Sequence, residues 1–175
     1  MDCSKLIFPI EKKDIIEHMR LRNIVSIQKF LRQVGDCTEA SQNCWYEGLI
    51  KDKTKQAFSI KVDDSVVGGC CLLSIDLYKS HAEAGWFLNP EYQGKGHATL
   101  AVEQMLDFAF STLNLHSVYA LVYSDNYKGL SFVKKVGFSH AGILRERRNR
   151  GSHYVDEFVF DMLSKDFYGT RKTVA

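Results

Sequence analysis

The chain has 175 residues, 45% of them hydrophobic and 25% charged, with a formal net charge of +2. These values fit one folded domain spanning residues 1–175, with a core from about 5 to about 165, and exclude collagen, coiled coil and low-complexity disorder. A charge this small gives no reason to expect nucleic acid or an anionic membrane as partner.

The longest unbroken apolar run is Val66 to Leu73, well short of the ~20 residues a membrane-crossing helix needs. Met1 to Lys12 holds no apolar signal-peptide segment, so the expected location is cytoplasmic. The five cysteines, Cys3, Cys37, Cys44, Cys70 and Cys71, form no CxxC pair, and neither a disulfide framework nor a metal site is expected. Cys70 and Cys71 lie in the apolar run and read as small core residues.

Lys5 to Ile10 reads as a first strand. Ile15, Ile16 and Met19 fall at helical spacing within Lys12 to Arg22, and Thr38 is placed to cap a helix carrying Trp45 and Leu49 on one face. Phe58, Ile60 and Val62 alternate with Ser59 and Lys61, the pattern of a half-buried strand. Asp63-Asp64-Ser65 is turn chemistry. Val66 to Ile75 is apolar on both faces, which suits the middle of a sheet. Ser80 to Leu88 is a further strand, and Pro90 to Gly96 a polar loop. Ala98, Ala101, Val102, Met105, Phe108 and Ala109 then mark an amphipathic helix. Val118, Ala120 and Val122 mark a strand, and Leu130, Val133 and Val136 a short helix stopped by Gly137. Strands near His140–Arg147 and Tyr154–Met162 flank a turn at Gly151. The order is β-α-α-β-β-β-α-β-α-β-β. Strands joined through helices imply a parallel central pair with antiparallel flanks, an α/β (α+β) mixed sheet.

The chemistry-bearing stretch is Asn89-Pro-Glu-Tyr-Gln-Gly-Lys-Gly-His-Ala-Thr99, where a strand gives way to a glycine loop and then a helix. The opening amides of a helix have no intrahelical acceptor and carry partial positive charge. Gly94 and Gly96 let the backbone come close to a ligand, Lys95 adds a cation, and the combination suits phosphate. The spacing is neither GxxxxGK[ST] nor GxGxxG.

Gln93-Gly-Lys-Gly-His-Ala98 resembles the Q/R-x-x-G-x-G/A motif of the GCN5-related N-acetyltransferases (the GNAT superfamily). Asn126 followed by Lys134-Lys-Val-Gly-Phe138 is similar to that superfamily's second cofactor motif. The tail from Gly142 to Asp156 resembles the RimJ/RimL-type branch. The resemblance implies the GNAT fold, with strands splayed at the cofactor site, and acetyl-CoA as co-substrate. It implies that Gln93, Gly94, Lys95, Gly96, His97, Ala98 and Thr99 surround the pyrophosphate. Trp86, Phe87 and Leu88 would pair with the pantetheine arm through their main chain, Asn126 would hydrogen-bond that arm, and Lys134 would face the phosphates. Asn126 also suits a helix N-cap.

An amine acetyltransferase must deprotonate its acceptor, and Glu83 is the expected catalytic base. Glu83 alternates with Ala82, Ala84 and Trp86, on the opposite face of their strand. The family's usual thiolate acids are missing, since a tyrosine position holds Val133 and a serine position holds Gly129. The remaining acid is then water or an unassigned hydroxyl, and a non-catalytic acyl-CoA sensor or interaction module is the alternative function. Arg145, Arg147, Arg148 and Arg150 crowd one hairpin. Guanidinium suits carboxylate and phosphate, so Arg147 and Arg148 are expected to contact an anionic acceptor, such as a nucleotide-linked amino sugar or an acidic peptide with its N-terminus as the amine, and a free polyamine is disfavoured. The resemblance also allows a homodimer.

Overall fold

Two adjacent aspartates, Asp63 and Asp64, both take left-handed backbone angles (φ 49° and 64°). That is the tight turn a two-residue hairpin needs, and it joins strands β2 (Gln56–Val62) and β3 (Ser65–Asp76). The computed structural model describes residues 5–32 and 35–171; Cys3 lies outside them. The other elements are β1 (Ile7–Pro9), α1 (Ile15–Arg22), α2 (Val25–Gln28), α3 (Glu39–Leu49), β4 (His81–Leu88), α4 (His97–Asp107), β5 (Ser117–Tyr123), α5 (Tyr127–Val136), β6 (Ser139–Asn149), β7 (Tyr154–Leu163) and α6 (Ser164–Arg171). This is the GNAT fold, in the element order expected, with the short α2 and the closing α6 added. No helix among the described residues is long and apolar enough to cross a membrane.

The chain divides into two compact units, one holding the residues up to Leu73 together with Gly85–Met105, the other Ser74–Ala84 together with the residues from Leu106 onward. In the first unit the strand order is β1-β2-β3-β4, with β1, β2 and β3 successively antiparallel. The side-chain amide oxygen of Gln104 on α4 accepts from the backbone amides of Leu6 and Ile7, at 2.9 and 3.2 Å, which fastens β1. Thr38 caps α3 as expected, its hydroxyl accepting from the Ser41 amide while the Ser41 hydroxyl accepts from the Thr38 amide.

Two expectations change here. Ser59 was expected on the polar side of a half-buried strand, yet it is fully buried between buried Phe58 and Ile60. The helix stripe was expected at Ile15, Ile16 and Met19, but the buried face of α1 is Ile15, His18 and Leu21. Both differences have one cause. His18 of α1 covers the second face of β2 and hydrogen-bonds Ser59, so polarity there marks a buried pair and not solvent.

In the second unit the order is β4-β5-β7-β6. β4 pairs in parallel with β5 from His81 to Ala84, and β5-β7 and β7-β6 are antiparallel. One face of this sheet is apolar and closed, with Ala82, Ala84, Val118, Ala120, Val122, Phe160 and Met162 all buried. Gly137 ends α5 at φ 103°, and the Phe138 amide reaches back to the Val133 carbonyl (3.1 Å), a Schellman-type stop.

Candidate active site

In the first unit the glycine loop grows from the end of β4. The Asn89 side chain accepts from the Glu91 amide (3.2 Å) and starts a short 3-10 turn with Pro90 at its head. The Gln93 side chain donates to the Leu88 carbonyl (3.2 Å), so the loop is tied to the strand it leaves. Gly94 and Gly96 have φ of 77° and 85°, a region that disfavours any residue with a Cβ. A Cβ at either position would meet nothing within 4 Å, so these glycines are required by backbone angle and leave open space above them. α4 follows at once, its first intrahelical bond running from the Leu100 amide to the Gly96 carbonyl (3.1 Å). The amides of His97, Ala98 and Thr99 precede that bond. Lys95 is exposed, with its ammonium 5.3 Å from the centre of the Tyr92 ring. Trp86 and Phe87 are half-buried, and Leu88 is buried.

The second unit holds Glu83, Asn126, Lys134, Arg147 and Arg148. Glu83 is 8% exposed and accepts a long hydrogen bond from the Tyr119 hydroxyl (3.4 Å). Strand register shows what surrounds it. Glu83 stands beside Tyr119 on β5, Tyr119 beside Asp161 on β7, and Tyr123 beside Glu157. Side chains at one register on neighbouring strands share a face. Glu83, Tyr119, Asp161, Tyr123 and Glu157 therefore line the face opposite the closed apolar one, with three carboxylates among them. His81, two residues before Glu83, sets its ring 6.4 Å from that of Tyr119.

Asn126 is the N-cap of α5, its side-chain oxygen accepting from the Gly129 amide (3.0 Å). A Cβ at position 129 would lie 2.5 Å from the Asn126 side-chain nitrogen, so a serine there would displace the cap. Val133 is fully buried in the apolar core and offers no proton. Lys134 is exposed in the last turn of α5.

Two of the hairpin arginines face carboxylates. Arg150 makes a two-pronged pair with Asp125, both bonds 3.0 Å, and its guanidinium lies 5.1 Å over the Tyr123 ring. Arg147 approaches Glu157 at 3.8 Å, and the Arg148 guanidinium is 5.7 Å from the same Tyr123 ring. Sequence reasoning missed Tyr119, Asp161, Glu157 and Asp125. Alternation along β5 and β7 was the available signal, but only register gathers these residues on one face.

An acetyltransferase (GNAT) domain family matches residues 6–139. Among curated proteins, the spermidine N(1)-acetyltransferase of Escherichia coli is 30% identical over 136 residues, which cover 78% of this chain and 73% of that protein. The uncharacterized N-acetyltransferase p20 of Bacillus licheniformis is 30% identical over 110 residues, 63% of this chain; the match spans 62% of that protein, less than two thirds. Among solved structures, the spermidine N-acetyltransferase of Vibrio cholerae in complex with CoA and spermine superimposes with a TM-score of 0.86 at 24% identity, covering 93% of this chain and 96% of that one.

Proposed function

We propose that this chain, which belongs to the GNAT acetyltransferase family, transfers the acetyl group of acetyl-CoA to a primary amine of a small polyamine. Membership brings acetyl-CoA as co-substrate and acetyl transfer as the reaction. The family match runs through both compact units, which supports treating residues 1–175 as one acetyltransferase domain. The observation that carries the acceptor class is the second unit's polar face, where Glu83 and Asp161 present carboxylate toward a cation and Glu157 stands beside them in its pair with Arg147. The relatives named for spermidine favour the same class over the RimJ/RimL-type branch, whose acceptors are protein N-termini. The arginine-rich hairpin loses much of its weight against a cation, because Arg150 is paired with Asp125 and Arg147 with Glu157. In this reading Arg147 and Arg148 bound the acceptor region, Arg147 against Glu157 and Arg148 against the Tyr123 ring.

The residues fit the cofactor. Two left-handed glycines with open space above them lead into the first turn of α4, whose amides suit pyrophosphate oxygens. Gln93, Gly94, Lys95, Gly96, His97, Ala98 and Thr99 are assigned to that group. The main chain of Trp86, Phe87 and Leu88 is assigned to the pantetheine amides, as an added strand would be. Asn126 keeps its side-chain nitrogen for the same arm while its oxygen caps α5. Lys134 is assigned to the phosphates through its charge.

A polyamine nitrogen has an ordinary pKa of ~10.4 and arrives protonated. Glu83 takes that proton, directly or through one water, and the freed lone pair attacks the thioester carbonyl. A main-chain amide near Leu88 stabilises the oxyanion, a contribution of ~3–4 kcal/mol where such a donor is removed. Collapse of the intermediate expels the thiolate, and the second proton shed by the nitrogen as it becomes an amide passes through water to the thiolate, since Val133 and Gly129 supply none. That missing acid favours a second reading, an acyl-CoA binder with no turnover. Thiol release measured with spermidine, spermine, an N-terminal peptide and a nucleotide-linked amino sugar decides both matters. Turnover with the polyamines is expected. Turnover only with the peptide or the sugar would overturn the acceptor, and none with any amine would favour the binder.

A further inference from the structure

We propose that His18, anchored through Ser59 to Asp14, is a positioning residue that fixes the Phe87 side chain and with it the strand segment assigned to the pantetheine arm. The inference rests on that assignment of Trp86–Leu88.

Among the polar side chains almost wholly buried in the first unit, Asp14 (3% exposed), His18 (4%) and Ser59 (0%) form one linked group. Such groups cost free energy unless they are satisfied. Asp14 accepts from Lys61 at 3.0 Å, from the Ser59 hydroxyl at 2.7 Å and from the Glu11 amide at 3.2 Å. A carboxylate only accepts, so the single Ser59 proton points to Asp14. The Ser59 oxygen, 3.0 Å from His18 Nε2, must then accept, which places the imidazole proton on Nε2. The ring is held in one tautomer and one orientation. This is not a nucleophilic triad. Asp14 and His18 both bond the same serine oxygen, and that oxygen is sealed from solvent.

The imidazole also meets Phe87, edge-on, with centroids 5.6 Å apart and planes at 87°. Gly69 makes the meeting possible. A Cβ there would lie 2.7 Å from His18 Cε1 and 3.0 Å from the Phe87 ring. At Gly68 an added Cβ would collide with the Phe87 carbonyl oxygen. Adjacent glycines weaken a strand interior, and they are found where another backbone or ring must approach. Here both serve one residue, Phe87, from its ring and from its main chain.

The test uses the full chain, with CoA binding by calorimetry and steady-state thiol release. His18→Ala removes both anchor and ring. His18→Gln keeps a donor for Ser59 and serves if the alanine variant does not fold. Either change is expected to raise KM for acetyl-CoA roughly fivefold, the scale of one aromatic pair, with kcat within twofold. Phe87→Leu should do the same, and adding it to His18→Gln should cost little more, because one contact is lost either way. A lower melting temperature with unchanged acetyl-CoA KM in His18→Gln would overturn the inference, as would full additivity with Phe87→Leu. Failure of the unaltered protein to bind CoA would instead remove the cofactor assignment, and this inference with it.

Discussion

His18 makes a measurable demand on stability as the solution is acidified. Burial lowers its pKa from the ordinary 6.5 to about 4; the negative Asp14 pulls the other way, and Arg22 and Lys61 add to the lowering. In the folded chain the ring stays neutral down to about pH 4, whereas in the unfolded chain it takes a proton below 6.5. Between those values the unfolded state binds more protons, so stability rises with pH and is lost as pH falls. Two-state linkage with these two pKa values gives a loss of about 2 kcal/mol between pH 7 and pH 5. For a chain of this size that corresponds to a melting temperature lower by roughly 4–8 °C. Asp14 also has a lowered pKa; burial raises it, but hydrogen bonds from Ser59, Lys61 and the Glu11 amide prevail. Its stabilising share is lost only as pH falls below the ordinary 3.8, outside this window. The assay is thermal or urea unfolding at pH 7, 6 and 5, comparing the unaltered chain with His18→Gln, which carries no titrating ring. The glutamine variant is expected to be less stable at pH 7 but to lose less on acidification, by the same ~2 kcal/mol. Parallel pH profiles for the two proteins would refute the buried, neutral imidazole.

Glu83→Gln should lower kcat for amine acetylation by about 10²–10⁴, the usual worth of a positioned base, with CoA binding by calorimetry unchanged. Gly129→Ser places a hydroxyl at the position where the resemblance expected an acid, yet it should yield no gain in thiol-release kcat. The new Cβ strikes the Asn126 side chain at 2.5 Å, and loss of that cap should cost ~1 kcal/mol in unfolding experiments. Arg150→Ala and Asp125→Ala should each destabilise the chain, and a double-mutant cycle should return a coupling of about 1 kcal/mol, above the median for exposed pairs. The pair is two-pronged and the Arg150 side chain only 16% exposed, so a cycle reading zero would show that the contact has no energetic weight.

What the sequence disclosed follows from range. The Asp63-Asp64 turn, the Thr38 cap, the Gly137 stop and the Gln93–Ala98 loop each depend on a few consecutive residues. Backbone angle and orphan amides are set within that window, so composition and spacing sufficed. Asn126 was legible as a cap for the same reason. Ser59 was not. Read along its strand it is one polar residue in an alternating pattern, and alternation says only that successive side chains face opposite ways. Whether the second face meets water or a helix depends on His18, 41 residues away.

The hairpin arginines show the cost of reading charge without register. Counted along the chain, Arg145, Arg147, Arg148 and Arg150 form a cationic run and point to an anionic acceptor. In the fold, Arg150 reaches back 25 residues to Asp125, and Arg147 crosses to Glu157 on the neighbouring strand. The carboxylates that reverse the sign of the inference are spread over β4, β5–α5 and β7, each unremarkable in its own segment. The parallel register of β4 on β5 and the antiparallel register of β5 on β7 bring Glu83, Asp161 and Glu157 to one face. A one-residue slip of β7 would send Asp161 and Glu157 to the apolar face and Phe160 and Met162 outward. Burial of Phe160 and Met162 forbids that slip. The packing that holds the core thus also decides which charge this face of the sheet presents.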